Sequence, residues 1–121
     1  MKLSEMTNKD AFKAIAKILP VAKEIIKDES LLNIYLRKMN IDRNIEPMEY
    51  KRERTKFNID KRSDLISYVL EHHDKSIFKI LGILNNKKPS EIANQGFIET
   101  LGQLTEALND EALVKLFTTS I

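Results

Sequence analysis

The two histidines are the residues whose types most readily suggest chemistry in this sequence. His72 and His73 are adjacent, and the chain contains no other histidine. Neighbouring residues point about 100° apart on a helix, which is a poor geometry for binding one metal ion together. Neither residue belongs to an HExxH spacing. When protonated, one of them can stabilise the C-terminal end of its helix, so the pair predicts a structural role and no metal site.

The carboxylates and the known catalytic motifs give no sign of an enzyme. The 18 Asp and Glu residues fall almost entirely on predicted polar faces or at helix caps. A catalytic acid–base pair instead needs a buried carboxylate with a shifted pKa. The sequence contains no GxxxxGK[ST], GxGxxG or GxSxG motif and no cysteine. We therefore expect a non-enzymatic protein with no catalytic, cofactor-binding or metal-binding residue.

One run of sequence, from Tyr50 to Phe57, interleaves basic residues with two aromatic residues. This composition can pair with phosphates and stack on bases, which keeps a small nucleic-acid-binding or regulatory module as the alternative function. Glutamates interrupt the run, however, and a dedicated nucleic-acid binder usually has a clean basic face. A protein-binding segment is favoured. The predicted partner-binding residues are Tyr50, Arg52, Arg54 and Phe57.

The elements that must position these residues are predicted to be helices. A chain of 121 residues fits one domain, here residues 1–121, with one hydrophobic core. Its common residues are Ile, Leu, Lys, Glu and Ala, which suit helices better than sheets. We expect an all-α bundle of about five to seven short helices with one long charged loop. No apolar run approaches a membrane span and no signal peptide is recognised, so a cytoplasmic location is expected.

Apolar residues recur at three- and four-residue spacing along most of the chain, which predicts amphipathic helices. The first is expected from about Asn8 to Lys27, with a kink at Pro20 rather than a break into two helices. A second helix, capped by Asp28, is expected to end near Met39. Further helices are expected to start near Asp60 or Ser63, Asp74, Pro89, Phe97, and Asn109 or Asp110. Their apolar residues are expected to form the core, among them Phe12, Leu19, Ile66, Leu70, Phe97, Ile98, Leu101, Leu104 and Leu108.

The segment from Ile41 to Arg62 lacks this periodicity and is dense in charge. It is predicted to be a charged loop or a weak helix, and the part from Pro47 to Lys56 can form a polar helix. A loop of that length inside a compact domain is commonly functional or ordered by a partner.

Charge is unevenly distributed along the chain, although the net charge is only +2. Residues 89–121 carry five carboxylates against one lysine, a net charge of −4, so the first 88 residues carry +6. A basic body with an acidic end can support nucleic-acid contacts or self-association through opposite faces. The imbalance is modest, however, so the interpretation that it has no functional meaning is favoured.

The C-terminal third resembles the end of tail assembly chaperones from long-tailed phages and prophages of Gram-positive bacteria. The likeness lies in FKILGILNNKKPSEIANQGFIETLGQLTEALNDEALVKLF, through the segments Ile80–Lys87, Ser90–Gln95 and Ile98–Phe117. The opening MKLSEMTNKDAF, with Pro20 in the first long helix, is similar to the same group. The chain departs from the pattern at Asn86, where glycine is commoner, and in having a single Phe117 at its close.

This resemblance implies a non-enzymatic role in building the phage tail. Such proteins are thought to coat the long helical tape measure protein, which otherwise aggregates, before tail-tube subunits replace them. The partners implied for this chain are therefore the tape measure protein and the tail-tube protein, with possible self-association, in the cytoplasm of a bacterial host. The charged middle of the chain lies outside the resemblance.

Overall fold

Seven α-helices and one short 3₁₀ turn make up the structure, a computed structural model that describes residues 2–40 and 44–119. The 3₁₀ turn is Leu3–Glu5, and the helices are α1 (Asn8–Ile26), α2 (Glu29–Tyr35), α3 (Pro47–His72), α4 (Asp74–Asn85), α5 (Pro89–Asn94), α6 (Phe97–Leu108) and α7 (Glu111–Thr119). The described ranges contain no strand. The predicted all-α bundle of five to seven helices is confirmed.

Helix α1 begins where its capping residue predicts. The Thr7 hydroxyl accepts a hydrogen bond from the backbone N–H of Asp10 at 3.3 Å, which satisfies one free amide of the first turn. The helix runs on through Pro20, so the alternative of two shorter helices meeting there is wrong. Its buried face consists of Ala14, Ile18, Val21 and Ala22.

The predicted apolar stripe of α1 is partly wrong. Phe12 and Leu19 are expected in the core, but both are exposed. α1 carries apolar residues around more than one face, and its covered side meets α4, α2 and the 3₁₀ turn. Periodicity identifies an amphipathic helix, whereas the neighbouring helices decide which of its apolar residues are buried.

Helix α4 lies at the centre of the fold, as its apolar sequence predicts. It contacts α1, α3, α5 and α6. The core cluster combines residues from both ends of the chain with α1 and α4: Leu3, Ala14, Ile18, Val21, Ile80, Leu84 and Leu113. α4 ends at Asn85, and Asn86 adopts a left-handed conformation with φ 54°. Asparagine tolerates this conformation better than most residues, so Asn86 ends the helix where glycine is usual.

Gly82 allows the chain after α4 to fold back closely. The backbone N–H of Lys87 donates to the carbonyl of Gly82 at 2.8 Å. A Cβ at position 82 would lie 2.5 Å from the carbonyl oxygen of Lys87, which is too close. Glycine is therefore required here by close backbone approach. The turn leads directly to Pro89, which is the first residue of α5 as predicted.

Helix α3 differs more from the sequence prediction than any other element. It begins at Pro47 rather than at Asp60 or Ser63, so the predicted charged loop is wrong for residues 47–62 and the weak-helix alternative is confirmed. Residues 41–43 of that segment lie outside the described residues. Glu, Lys and Arg are good helix formers, so this polar, exposed helix forms without a buried apolar face. It therefore lacks the apolar periodicity by which helices are recognised in a sequence. Helix α2, in contrast, ends at Tyr35 and does not reach Met39.

Helix α6 is also placed differently from the prediction. Phe97, Ile98, Leu101 and Leu108 are expected in the core, but all four are exposed, and Leu104 is only partly buried. The helix after it begins as predicted, because Asp110 caps α7 by accepting from the N–H of Ala112 at 3.1 Å. No helix in the described part of the chain is both long enough and apolar enough to cross a membrane.

Candidate protein-binding surface

Asp28 joins the start of α2 to the junction of α3 and α4. Its Oδ1 caps α2 by accepting from the N–H groups of Ser30 and Leu31 at 3.0 and 3.3 Å. Its Oδ2 accepts from the Tyr68 hydroxyl at 2.7 Å and lies 2.8 Å from Nε2 of His73. The sequence predicts the cap, but Tyr68 and His73 come 40 and 45 positions later, so no local pattern could reveal their contacts.

The electrostatics of this cluster hold the Asp28 carboxylate in its charged form. The hydrogen bond from Tyr68 is the largest influence, and together with His73 and the two backbone amides it lowers the pKa of Asp28 to about 2, against the opposing effect of burial. The same carboxylate raises the pKa of the Tyr68 hydroxyl. The Tyr68 ring also packs on His72, with ring centroids 4.4 Å apart.

The cluster of Asp28, Tyr68 and His73, which we call the clasp, links the start of α2 to α3 and to the junction of α3 and α4. The four hydrogen-bonding groups around Asp28 occupy its two oxygens, which leaves little capacity for abstracting a proton from a substrate. In residues 2–40 and 44–119, no group of three or more His, Asp or Glu side chains is arranged to hold a metal ion. His73 contacts Asp28 at the start of α2, an interaction between elements that differs from the stabilisation of a helix end predicted for the pair.

A second set of contacts holds α3 in place one and two helical turns before Tyr68. Arg37 Nη1 donates to Asp64 Oδ2 at 2.8 Å. Lys61 Nζ donates to the carbonyl of Arg37 at 3.4 Å and lies 5.3 Å from the centroid of the Tyr35 ring. Exposed ion pairs of this kind add only about 0–1 kcal/mol each, so they fix the rotation of α3 more than they stabilise it. Lys61, Asp64 and Tyr68 share one face of the helix, at three- and four-residue spacing.

The opposite face of α3 carries a continuous exposed row, which we call the outer stripe. It consists of Met48, Arg52, Thr55, Ile59, Arg62, Ile66 and Leu70, which recur every three or four residues. Its four large apolar side chains are 51–67% exposed. Ile66 and Leu70 are predicted to be core and are not. Scattered exposed apolar residues are ordinary on a protein surface, but four large ones on one helix face make the outer stripe a candidate interaction site.

Basic residues predominate on and beside this face, and one of them, Lys56, lies 3.8 Å from Oε1 of Glu53. Lys51 and Lys56 flank the outer stripe, and Arg52 and Arg62 lie within it, whereas the carboxylates of α3 lie towards its other side. Met48, Lys51, Arg52, Thr55 and Lys56 line a shallow depression of about 390 Å³ near the start of the helix. All ten residues from 47 to 56 are exposed, so the surface of the first half of α3 is open to solvent.

The four predicted partner-binding residues fall on two different faces of α3. Tyr50, Arg54 and Phe57 are spaced by four and three residues and lie together, on the side that packs against α2 further along the helix. Phe57 is partly buried there. Arg52 lies on the outer stripe instead. The prediction omits the apolar members of the stripe because the charge density of the segment favours a loop, and within residues 41–62 only Met48 and Ile59 of the stripe are apolar.

A separate open cleft of about 1050 Å³ lies between α1, α4 and the connection to α5. Its floor is apolar, and its rim carries five lysines, Lys13, Lys17, Lys79, Lys87 and Lys88, against the carboxylates of Asp10 and Glu91. Lys87 is paired with Glu99 at 2.9 Å. A basic cleft of this kind attracts anions, including the phosphates of nucleic acid.

Comparison with known proteins found no matching family model, no matching curated protein and no matching solved structure. The resemblance to tail assembly chaperones therefore stays a prediction. What bears on function is the geometry: a clasped α3 with an exposed apolar and basic stripe, a basic cleft, and the exposed apolar side of α6.

Proposed function

We propose that this protein is a non-enzymatic tail assembly chaperone that binds and solubilises a tape measure protein in the cytoplasm of a bacterial host. The observation that carries the proposal is the outer stripe of α3, whose apolar side chains are exposed along the helix from Met48 to Leu70. The resemblance of the C-terminal third supplies the identity of the partner.

The partner expected on the outer stripe is an amphipathic helix with an apolar row and flanking carboxylates. Helices dock on one another through apolar residues that share one face, and the four apolar residues of the stripe share one face of α3 at spacings of 11, 7 and 4. The distance from Met48 to Leu70 corresponds to about 33 Å of helix, or roughly six turns. Lys51, Arg52, Lys56 and Arg62 would pair with acidic residues beside the partner's apolar row and fix its register.

Weak contacts of this type suit a chaperone that must later leave. Several copies along one tape measure protein would hold it through many modest contacts, and each copy could be displaced in turn by the tail-tube protein. The shielded apolar rows of the partner would otherwise associate with one another.

Co-expression with helical segments of the candidate tape measure protein tests the proposal. The wild-type chain is expected to raise the soluble fraction of the segment and to purify with it. The double variant Ile59→Asp, Ile66→Asp is expected to lose both effects while keeping its helical circular dichroism, because both side chains are exposed. Phe12→Asp is the matched control, since Phe12 is also more than half exposed but lies on α1. Unchanged solubility with wild type, or full activity of the double variant, contradicts the proposal.

The alternative function, a small helical nucleic-acid-binding or regulatory module, is favoured by the lysine-lined cleft and by the four cations on the outer side of α3. Binding through phosphates weakens steeply with salt. A gel shift with duplex DNA or single-stranded RNA should therefore appear at low ionic strength and decline as salt is added. The double variant Lys13→Glu, Lys17→Glu should reduce it. No shift at low ionic strength would remove this candidate.

A further inference from the structure

The second half of α3 holds the helix to the rest of the chain. Among the described residues, the side-chain hydrogen bonds that join α3 to other elements all come from Lys61, Asp64 and Tyr68. They reach residues that cap or follow α2, and His73 adds its contact to Asp28 just after α3 ends. Residues 61–72 therefore form an anchored half of the helix.

The first ten residues of α3, numbers 47–56, form a segment that we call the α3 arm. All ten are exposed. The Thr55 hydroxyl donates to the carbonyl of Lys51 at 2.8 Å, and Lys56 lies 3.8 Å from Glu53, so these side-chain contacts stay within the arm. Packing of an apolar face provides most of the stability of helices in proteins. The arm gains little from this source, and its exposed ion pair adds little more.

Interactions along the arm also stabilise its helix only weakly. The side chain of the N-cap residue, Glu46, accepts no hydrogen bond from the first turn. Both pairs of charged residues four positions apart join like charges, Glu49 with Glu53 and Arg52 with Lys56, and such pairs destabilise a helix. Ten residues are also fewer than the roughly 12–15 that an isolated helix needs in water.

We propose that the α3 arm folds and unfolds separately from the rest of the chain, as an order–disorder element attached to the anchored half. The arm loses helical turns from Pro47 onwards while the core stays closed. Local opening of this kind is typical of segments with few buried contacts and solvent-exposed backbone hydrogen bonds, and the arm has both features. The arm carries Met48, Arg52 and Thr55, so its opening removes the first three members of the outer stripe from their common face.

The consequence for binding rests on the proposed function. A partner that contacts the whole outer stripe binds only those molecules in which the arm is helical, so its apparent affinity is reduced in proportion to the helical fraction. The stability of the arm thus sets the affinity without any change in the residues that touch the partner. A reduced affinity suits a chaperone that is later displaced.

Hydrogen exchange of the free chain locates the opening directly. At neutral pH and without denaturant, the amides of residues 52–56 should exchange at least about a hundredfold faster than those of residues 65–72, after correction for intrinsic rates. Equal protection in the two halves of α3 overturns the proposal.

A pair of proline variants tests whether the rest of the chain depends on the arm. Glu53→Pro removes a helical hydrogen bond and clashes with the preceding turn. It should reduce the helical circular dichroism but leave the urea midpoint unchanged. Ser67→Pro is the matched control, because it makes the same change at an exposed polar residue of the anchored half and should lower the midpoint. Equal losses in the two variants show that the arm belongs to the cooperative fold, which overturns the proposal.

A capping variant should shift the arm towards the helix. Glu46→Ser places a capping hydroxyl before Pro47 and completes a capping box with Glu49, the third residue of the helix. Exchange in the arm should slow about threefold to tenfold. Glu46→Gln removes the same charge without adding a cap, so it should not slow the exchange. Equal exchange in these two variants contradicts opening from the N-terminal end of α3.

Titration with a labelled tape measure segment separates this inference from the proposed function. Glu46→Ser should bind about twofold to fivefold more tightly than Glu46→Gln, and Glu53→Pro at least about tenfold more weakly than wild type, although neither position lies on the outer stripe. Equal affinities refute the selection of a helical arm. A wild-type chain that does not bind contradicts the proposed function, and the exchange and proline measurements still decide whether the arm folds separately.

Discussion

The backbone N–H of Leu3 donates a hydrogen bond to Oδ2 of Asp110, which lies 107 positions later in the chain. Asp110 is only 1% exposed, and its other oxygen caps α7. One buried carboxylate therefore starts the last helix and ties the 3₁₀ turn at the beginning of the chain to it. Leu3 and Leu113, on either side of this contact, both belong to the core.

Removing this carboxylate should destabilise the fold. Asp110→Ala leaves the amides of Leu3 and Ala112 without their acceptor, and an unsatisfied buried donor costs about 1–3 kcal/mol. The loss should appear in urea unfolding monitored by circular dichroism. Glu111→Gln, next to it but exposed, should change stability by less than about 0.5 kcal/mol. A loss no greater in Asp110→Ala than in Glu111→Gln would show that the contact is dispensable.

Stability should fall at acidic pH through Asp28. Its pKa is about 2 in the fold, below its ordinary value in the unfolded chain, so the unfolded state takes up the proton first as pH falls. Its contribution is therefore complete above about pH 4 and is lost between about pH 4 and pH 2. Urea midpoints at several pH values should show this decline in wild type.

Two variants test whether the interactions of Asp28 cause this loss of stability at acidic pH. Asp28→Asn cannot titrate, so its stability difference from wild type should shrink as pH falls through this window. Tyr68→Phe removes the largest influence on the pKa of Asp28, so the acidic loss should be smaller than in wild type and should be complete at a higher pH. If the three proteins show parallel pH profiles, the clasp does not act through this carboxylate.

The two arginines of the predicted site should respond differently to charge reversal. Arg52 lies on the outer stripe and Arg54 on the face shared with Phe57. On the proposed mode of binding, Arg52→Glu should weaken the tape measure complex about tenfold or more, whereas Arg54→Glu should change the affinity less than about threefold. Titration of each variant with a labelled tape measure segment measures this. Equal losses would place the partner across both faces of α3.

Replacing Gly82 or Gly102 by alanine should change the free energy of unfolding in opposite directions. Gly82→Ala forces a methyl group to within 2.5 Å of the Lys87 carbonyl, so the turn after α4 must shift, with an expected loss of about 1–3 kcal/mol. Gly102→Ala meets open space within the chain and should stabilise α6 by up to about 1 kcal/mol. Urea unfolding monitored by circular dichroism compares the two. A stable Gly82→Ala protein would show that the turn can relax freely.

Local signals in the sequence locate most helix boundaries. Thr7, Asp28, Pro89 and Asp110 start helices through interactions within a few residues of themselves, and such interactions can be predicted without knowing the fold. The beginning of α3 at Pro47 is predicted only as the alternative to a loop, for a related reason. Its charged residues favour a helix through propensity alone, whereas the interpretation depends on apolar periodicity that this exposed segment does not need.

The candidate surface was predictable only in part. The run from Tyr50 to Phe57 does lie on a largely exposed segment, as its dense mixture of charges predicts, because such mixtures are seldom buried. That Arg52 lies on a different helix face from Tyr50, Arg54 and Phe57 can be inferred only once the segment is known to be helical. The outer position of the apolar residues of the stripe depends further on the rotation of α3, which is fixed through contacts 27 to 45 positions apart.

The sequence by itself determined the all-α class, the caps and the central place of α4, since these follow from composition, local hydrogen bonding and the periodicity of apolar residues. The tertiary structure alone decided which apolar faces are buried. Leu104 and Leu108 belong to one periodic pattern, yet the packing of α6 partly covers the first and exposes the second. An amphipathic pattern shows that a helix has an apolar side, but burial depends on distant elements and on partners that the pattern does not contain.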